Sequence, residues 1–127
     1  MIQIFNTLTE IYAFADSKLA KLNDKAGLAP AVAQNIAATC DLPDDSPDCG
    51  LVEETAKKIA AEMHSEWQAD IEAHEAFLRM EGQNDEYIDD AIADIEPPQS
   101  YDDAGEFYQQ LALQRLVLQH LKQSINP

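Results

Sequence analysis

Apolar residues recur every three or four positions along almost the whole chain, and this spacing constrains the fold more than any other feature. One side of an α-helix repeats every 3.6 residues, so the spacing predicts amphipathic helices. No segment alternates apolar and polar residues for long enough to predict a strand. We therefore expect an all-α fold, a single domain over residues 1–127 formed by one compact bundle of four to five helices.

Residues that begin and end helices divide the chain into helical segments. The expected helices cover about residues 3–24, 30–40, 50–81, 85–96 and 101–123. Gly27 is expected to end the first helix, and Pro30 to be the first helical residue of the second. Asn84 is expected to cap the fourth helix, and Ser100 with Asp103 resembles a capping box before the fifth.

The fifth expected helix is apolar over most of its circumference. Its apolar residues include Phe107, Tyr108, Leu111, Leu113, Leu116, Val117, Leu118 and Leu121. A helix that is apolar on most sides usually lies inside a bundle. We therefore place helix 5 near the centre of a bundle that also contains a long helix 3, and expect Leu111, Leu116 and Val117 to be buried.

The net charge of −16, from 24 acidic and 8 basic residues, is concentrated in the middle of the chain. Residues 41–106 carry 21 acids against three bases, whereas residues 1–40 carry three of each and residues 107–127 carry only two bases. A protein that binds nucleic acid through phosphate contacts needs a basic face. The charge therefore excludes direct nucleic-acid binding of that kind.

The fourth expected helix is the densest acidic segment and contains no base. Several of its acids are spaced four residues apart, and each such like-charge pair destabilises a helix by a few tenths of a kcal/mol. We interpret this charge as a face that binds a basic partner. The predicted face comprises Asp85, Glu86, Asp89, Asp90, Asp94 and Glu96 of helix 4 and Glu66, Glu72 and Glu75 of helix 3.

In its charge pattern, residues 41–106 above all, the chain resembles the acidic nucleic-acid mimics of phages and mobile elements, such as antirestriction and anti-CRISPR proteins. The resemblance implies a non-enzymatic inhibitor of a basic nucleic-acid-binding protein or complex. In such mimics carboxylates take the place of phosphates against Arg and Lys side chains. It also implies a cytoplasmic protein, in the host cytoplasm if phage-encoded, and homo-oligomers remain possible.

Several other interpretations fit the same composition. The charge could serve solubility alone in a helical adaptor or assembly protein, or reflect adaptation to high salt. Immunity proteins and antitoxins that neutralise basic nucleases follow the same electrostatic logic as mimics. A metal-dependent helical-bundle enzyme is the third alternative.

The residues that favour an enzyme are few, and we expect no catalytic residue, metal or cofactor. Asp70 and His74 fall within the apolar stripe of helix 3, but the Glu-x-x-His pattern of di-metal bundles is missing at both His64 and His74. We expect Asp70 and His74 to form a partly buried structural pair, and His120 also to be structural.

The remaining candidates lie around the acidic loop of residues 41–50. Its spacing of acids does not match a calcium-binding loop. Cys40 and Cys49 flank the loop, and either two reduced thiols or a disulfide that closes the loop is possible. The N-terminal residues lack the basic region of a signal peptide. No stretch is long and apolar enough to predict a membrane span.

Overall fold

In a computed structural model, which describes residues 2–125, the chain is an α-helical bundle. The helices are α1 (Leu8–Ala20), α2 (Lys25–Thr39), α3 (Cys49–Met80), α4 (Asp85–Ala93) and α5 (Gly105–Ile125). The predicted all-α class and the long third helix are confirmed.

A short pair of parallel strands, which the sequence did not predict, joins the N-terminal residues to the segment after α2. β1 (Gln3–Ile4) pairs with β2 (Cys40–Asp41), and the Phe5 N–H donates to the Asp41 carbonyl at 3.0 Å. Two residues are too few to show an alternating pattern. Because residues 3 and 4 have the extended conformation of this strand, α1 begins at Leu8 rather than near residue 3.

The boundary between α1 and α2 differs from the prediction, because α2 is capped by Asp24 and begins earlier than expected. The Asp24 carboxylate accepts a hydrogen bond from the Gly27 N–H at 3.0 Å, as an N-cap residue does. A Cβ atom on residue 27 would collide with that carboxylate. Gly27 therefore belongs to the first turn of α2 and does not end α1, and Pro30 lies inside α2 rather than at its first position.

The ends of the last two helices also differ by a few residues from the prediction. α4 ends at Ala93 rather than at 96, and α5 extends from Gly105 to Ile125. The Ser100 hydroxyl accepts from the Asp103 N–H at 3.2 Å, as the capping motif predicts. This turn precedes the helix instead of opening it directly.

Helix α5 contributes to both groups of buried side chains, which confirms its predicted central position. The smaller group joins Tyr108 and Ala112 of α5 to Ala56 and Ile59 of α3. The larger group joins α5 to α1, α2 and the segment that follows α2: Leu8, Ile11, Ala15, Leu19, Ala29, Val32, Ala33, Ile36, Ala37, Cys40, Leu42, Leu113, Val117 and Leu121.

The predicted burial of α5 residues is correct at one of three positions. Val117 is completely buried, whereas Leu111 and Leu116 are half-buried and pack at the margins of the two groups. The helices that pack on α5 leave its edges open, so an apolar residue on α5 is not always enclosed.

Candidate partner-binding face

The acidic residues predicted to bind a partner lie in one helical hairpin, residues 66–96, which we call the acidic hairpin. It consists of the distal part of α3, a short turn, α4 and the residues that follow. α4 packs against α3, and the buried residues here are Leu78 of α3 and Ile88 of α4. Neither residue belongs to the two groups of buried side chains around α5.

Gly82 and Asn84 fix the turn of the hairpin. Gly82 has a φ of 83°, a left-handed conformation that glycine adopts without steric cost. The Gln83 N–H donates to the Leu78 carbonyl at 3.1 Å, as in a Schellman motif. The Asn84 side chain accepts from the Tyr87 N–H at 2.8 Å, so Asn84 caps α4 as predicted. The turn is short, and it returns α4 along α3.

The structure places eight of the nine predicted residues in exposed positions and Glu75 in a half-buried one. The exposed residues are Glu66, Glu72, Asp85, Glu86, Asp89, Asp90, Asp94 and Glu96. Residues 66–96 hold eleven acids and a single Lys or Arg, Arg79. The predicted carboxylates therefore belong to one hairpin, and partner binding by them stays a prediction.

Arg79 engages two of the predicted residues, which the sequence did not reveal. Its guanidinium donates to Glu75 at 2.9 Å and to Asp85 at 3.1 Å. The hydrogen bond to Glu75, with the charges of both carboxylates, raises the pKa of Arg79. These contacts tie the first residue of α4 to α3. Within residues 2–125, none of the other seven predicted acids forms an ion pair.

The acids of α4 do not all suit the helix that carries them. Asp85 and Glu86 occupy the first turn, where the helix dipole favours negative charge. Asp89 lies in the middle of the helix, and Asp90 and Asp94 lie in the last turn and at the C-cap, where negative charge is unfavourable and no base is present. Helix stability therefore does not account for Asp90 and Asp94.

Three large apolar side chains are exposed near the turn of the hairpin. Phe77 is 55% exposed, Met80 88% and Tyr87 52%. None of the three was predicted as a site residue, because all three lie off the apolar stripes that contain Leu78 and Ile88. Their positions off those stripes were the signal that could have identified them, because apolar residues clustered on a surface indicate an interaction site.

Trp67 lies at the beginning of the acidic hairpin. Its ring centroid is 5.2 Å from that of His64. Its indole Nε1 is buried and has no hydrogen-bond partner among residues 2–125.

Asp70 and His74 are not the partly buried pair that the sequence predicted. Both side chains are exposed, and no hydrogen bond joins them in the part of the chain that the structure describes. In this part of the chain α3 packs against α4, and the apolar stripe of α3 is narrow. Residues at the edge of that stripe are therefore exposed to solvent. No group of three or more His, Cys, Asp or Glu side chains within residues 2–125 is arranged to hold a metal ion.

His120 lies in a structural contact between α5 and α1, in agreement with the sequence interpretation. Its Nε2 is 2.8 Å from an Asp16 carboxylate oxygen, and its ring stacks on Tyr12 with the centroids 4.5 Å apart. The contact joins two helices of the bundle.

Two acids of the loop after α2 have local structural roles. Asp48 accepts from the Leu8 N–H at 2.7 Å, and Asp41 from the Leu42 N–H at 2.8 Å. Cys40 and Cys49 are free thiols that line one cavity of about 560 Å³.

Comparison of the chain with protein-family models, with curated proteins and with solved structures finds no match. Among residues 2–125, none of the helices combines the length and the apolar character needed to cross a bilayer.

Proposed function

We propose that this protein is a non-enzymatic inhibitor that binds a basic nucleic-acid-binding protein through the acidic hairpin and occupies the partner's nucleic-acid groove. The observation that carries this proposal is that seven of the nine predicted carboxylates are exposed and form no ion pair within residues 2–125. Two of them, Asp90 and Asp94, also oppose the dipole of α4. Carboxylates that destabilise the helix carrying them are expected to have a role in binding a partner.

The density of charge on α4 is comparable to that of a nucleic-acid strand. Four acids lie within the nine residues of α4, which rise about 13 Å at ~1.5 Å per residue. This is one charge per about 3.4 Å, and one strand of DNA also carries one phosphate per ~3.4 Å.

The chemistry of such a partner follows from the carboxylates. Arg side chains bind carboxylates through two parallel, charge-assisted hydrogen bonds, as they bind phosphates. The net charge of −16 would attract a basic groove over a distance set by the ionic strength. We therefore expect affinity and association rate to fall steeply with added salt.

The test compares two adjacent aspartate pairs that differ in place. Asp89→Lys/Asp90→Lys changes the hairpin, and Asp44→Lys/Asp45→Lys makes the same charge change in the loop after α2. All four residues are exposed, and none forms an ion pair within residues 2–125. Asp85 is left unchanged, because a lysine there would face Arg79.

Each variant and the wild type are used to capture proteins from the native host, and the captured proteins are identified and quantified by mass spectrometry. We expect the wild type and the loop variant to retain the same basic nucleic-acid-binding protein and the hairpin variant to lose it. DNA or RNA added to the purified complex is then expected to displace the wild-type protein. Retention by the hairpin variant would refute the acidic face, and simultaneous binding of nucleic acid would refute occupancy of the groove.

A further inference from the structure

The two flanks of the acidic hairpin differ in chemistry. Leu78 and Ile88 are buried, so they mark the sides on which α3 and α4 meet. Arg79, one residue after Leu78, reaches Asp85, and both therefore lie on one flank. Successive residues turn by about 100° around a helix axis. Phe77, one residue before Leu78, consequently projects to the opposite flank.

Tyr87 projects to the same flank as Phe77. After the short turn α4 runs back along α3, so the residue before Ile88 points to the same side as the residue before Leu78. Both rings are about half-exposed, and Met80, at the end of α3, is exposed near the turn. This flank therefore presents aromatic surface where the opposite flank presents the Arg79 ion pairs.

Acidic side chains border this aromatic surface. Asp70 and Asp94 lie two helical turns from Phe77 and Tyr87, respectively, and seven residues bring a helix back to the same side. Glu81 follows Phe77 by four residues. All three carboxylates are exposed, and none forms an ion pair within the described residues.

We propose that the contact surface of the hairpin includes the flank bearing Phe77 and Tyr87, and that this flank binds an apolar patch bordered by Arg and Lys side chains. This inference rests on the proposed function and adds the orientation of the hairpin on its partner. Guanidinium groups stack on aromatic rings and pair with carboxylates, so one basic residue can engage both. Aromatic residues with a polar rim are typical of interface centres.

The charge of the chain argues against a second copy as the occupant. Two molecules that each carry −16 would bring acidic rims together. Like charges placed opposite one another in an interface are unfavourable. A basic partner instead neutralises the rim while its apolar patch covers Phe77 and Tyr87.

The experiment uses two arginine-rich synthetic peptides of equal length and charge as probes, one with leucines and the other with serines between the arginines. Their dissociation constants are measured by fluorescence anisotropy with the full-length wild type, with Phe77→Ser/Tyr87→Ser and with Phe107→Ser. Phe107 is a matched control, since it is 53% exposed but lies on α5 outside the hairpin. Each titration is repeated at low and at high salt.

We expect the wild type and Phe107→Ser to bind the leucine peptide roughly ten-fold more tightly than the serine peptide. The double variant should bind both peptides equally, with its salt dependence unchanged. If the double variant does not fold, Phe77→Ser and Tyr87→Ser are tested singly, and each is expected to lose part of the preference.

Three results would overturn the inference while leaving the proposed function intact. The leucine preference could be absent from the wild type, persist without Phe77 and Tyr87, or disappear equally in Phe107→Ser. Self-association of the wild type that the double variant loses, seen by sedimentation, would assign the flank to a second copy and also overturn it. If neither peptide shows salt-dependent binding, the proposed function fails as well.

Discussion

Two regions of the molecule are built from the same type of helix but differ in burial and in charge. They are the bundle formed by α1, α2 and α5 and the acidic hairpin. The bundle encloses fourteen buried residues in one group and has little excess charge in its first two helices. The hairpin has one buried residue on each helix and eleven acids. Charge repulsion disturbs a fold least where few contacts depend on the charged segment. The difference therefore indicates a stable support that carries a less stable, highly charged element.

The largest expected effect comes from a truncation in the bundle. Leu121 is fully buried in the group that joins α5 to α1 and α2. Leu121→Ala should lower the free energy of unfolding by about 2–5 kcal/mol, through lost burial and the remaining cavity. Urea unfolding followed by circular dichroism measures this loss. Leu111→Ala, at a half-buried position, serves as the control and should lose less.

The comparable truncation in the hairpin should act locally. Ile88 is 1% exposed and is the buried residue of α4. Ile88→Ala should weaken the packing of α4 on α3, while the bundle stays folded, because Ile88 belongs to neither group around α5. Hydrogen exchange measured by mass spectrometry should show faster exchange in α4 and unchanged exchange in α2 and α5. Faster exchange in all helices would contradict the division into two regions.

Reversal of charge in the hairpin should stabilise it slightly. Asp89→Lys/Asp90→Lys removes like-charge pairs with Asp85, Glu86 and Asp94 and places bases toward the C-terminal end of α4. Each relieved pair contributes a few tenths of a kcal/mol, about the accuracy of thermal unfolding. We therefore expect slower hydrogen exchange in α4 together with the loss of partner binding. A less stable α4 would mean that the aspartates support the fold.

The smallest effect concerns an ion pair between α3 and α5. The Arg115 guanidinium donates to both oxygens of Glu62, at 3.1 and 2.7 Å, and these hydrogen bonds hold the pKa of Glu62 below its ordinary value. A carboxylate with a lowered pKa stabilises the fold above its ordinary pKa, and this contribution disappears as the pH falls through the lowered pKa.

Glu62→Gln should therefore be slightly less stable than the wild type near neutral pH and equal to it in acid. Urea unfolding at a series of pH values measures the difference. Glu66→Gln provides the control, because Glu66 is exposed and forms no ion pair within residues 2–125. A pH-independent difference for Glu62→Gln would exclude the ion pair as its cause.

The sequence predicted those parts of the fold that depend on local pattern. The apolar stripe of α5 indicated its central position, and Asn84 marked the start of α4 correctly. The β1–β2 pair depends on contacts between distant residues and has no local signature. Gly27 was misplaced because a glycine is compatible both with the end of one helix and, beside Asp24, with the start of the next.

The candidate site was predictable to a similar degree. Exposure of the acids followed from their positions off the apolar stripes. The ion pair between Arg79 and Asp85 depends on the geometry of the turn between two helices. The exposure of Asp70 and His74 depends on how few neighbours α3 has in the hairpin. The spacing of residues along one helix predicts neither a contact across a turn nor the number of neighbouring helices.

The position of Trp67 has a spectroscopic consequence. It is the only tryptophan of the chain, and its side chain is half-buried, with the indole Nε1 covered, at the beginning of the acidic hairpin. Selective excitation of indole therefore observes this one region, while far-ultraviolet ellipticity averages over all helices. During denaturation, a red shift of the emission that precedes the loss of ellipticity would report that the hairpin opens first. The wild-type protein thus contains its own optical reporter of the element proposed to meet the partner.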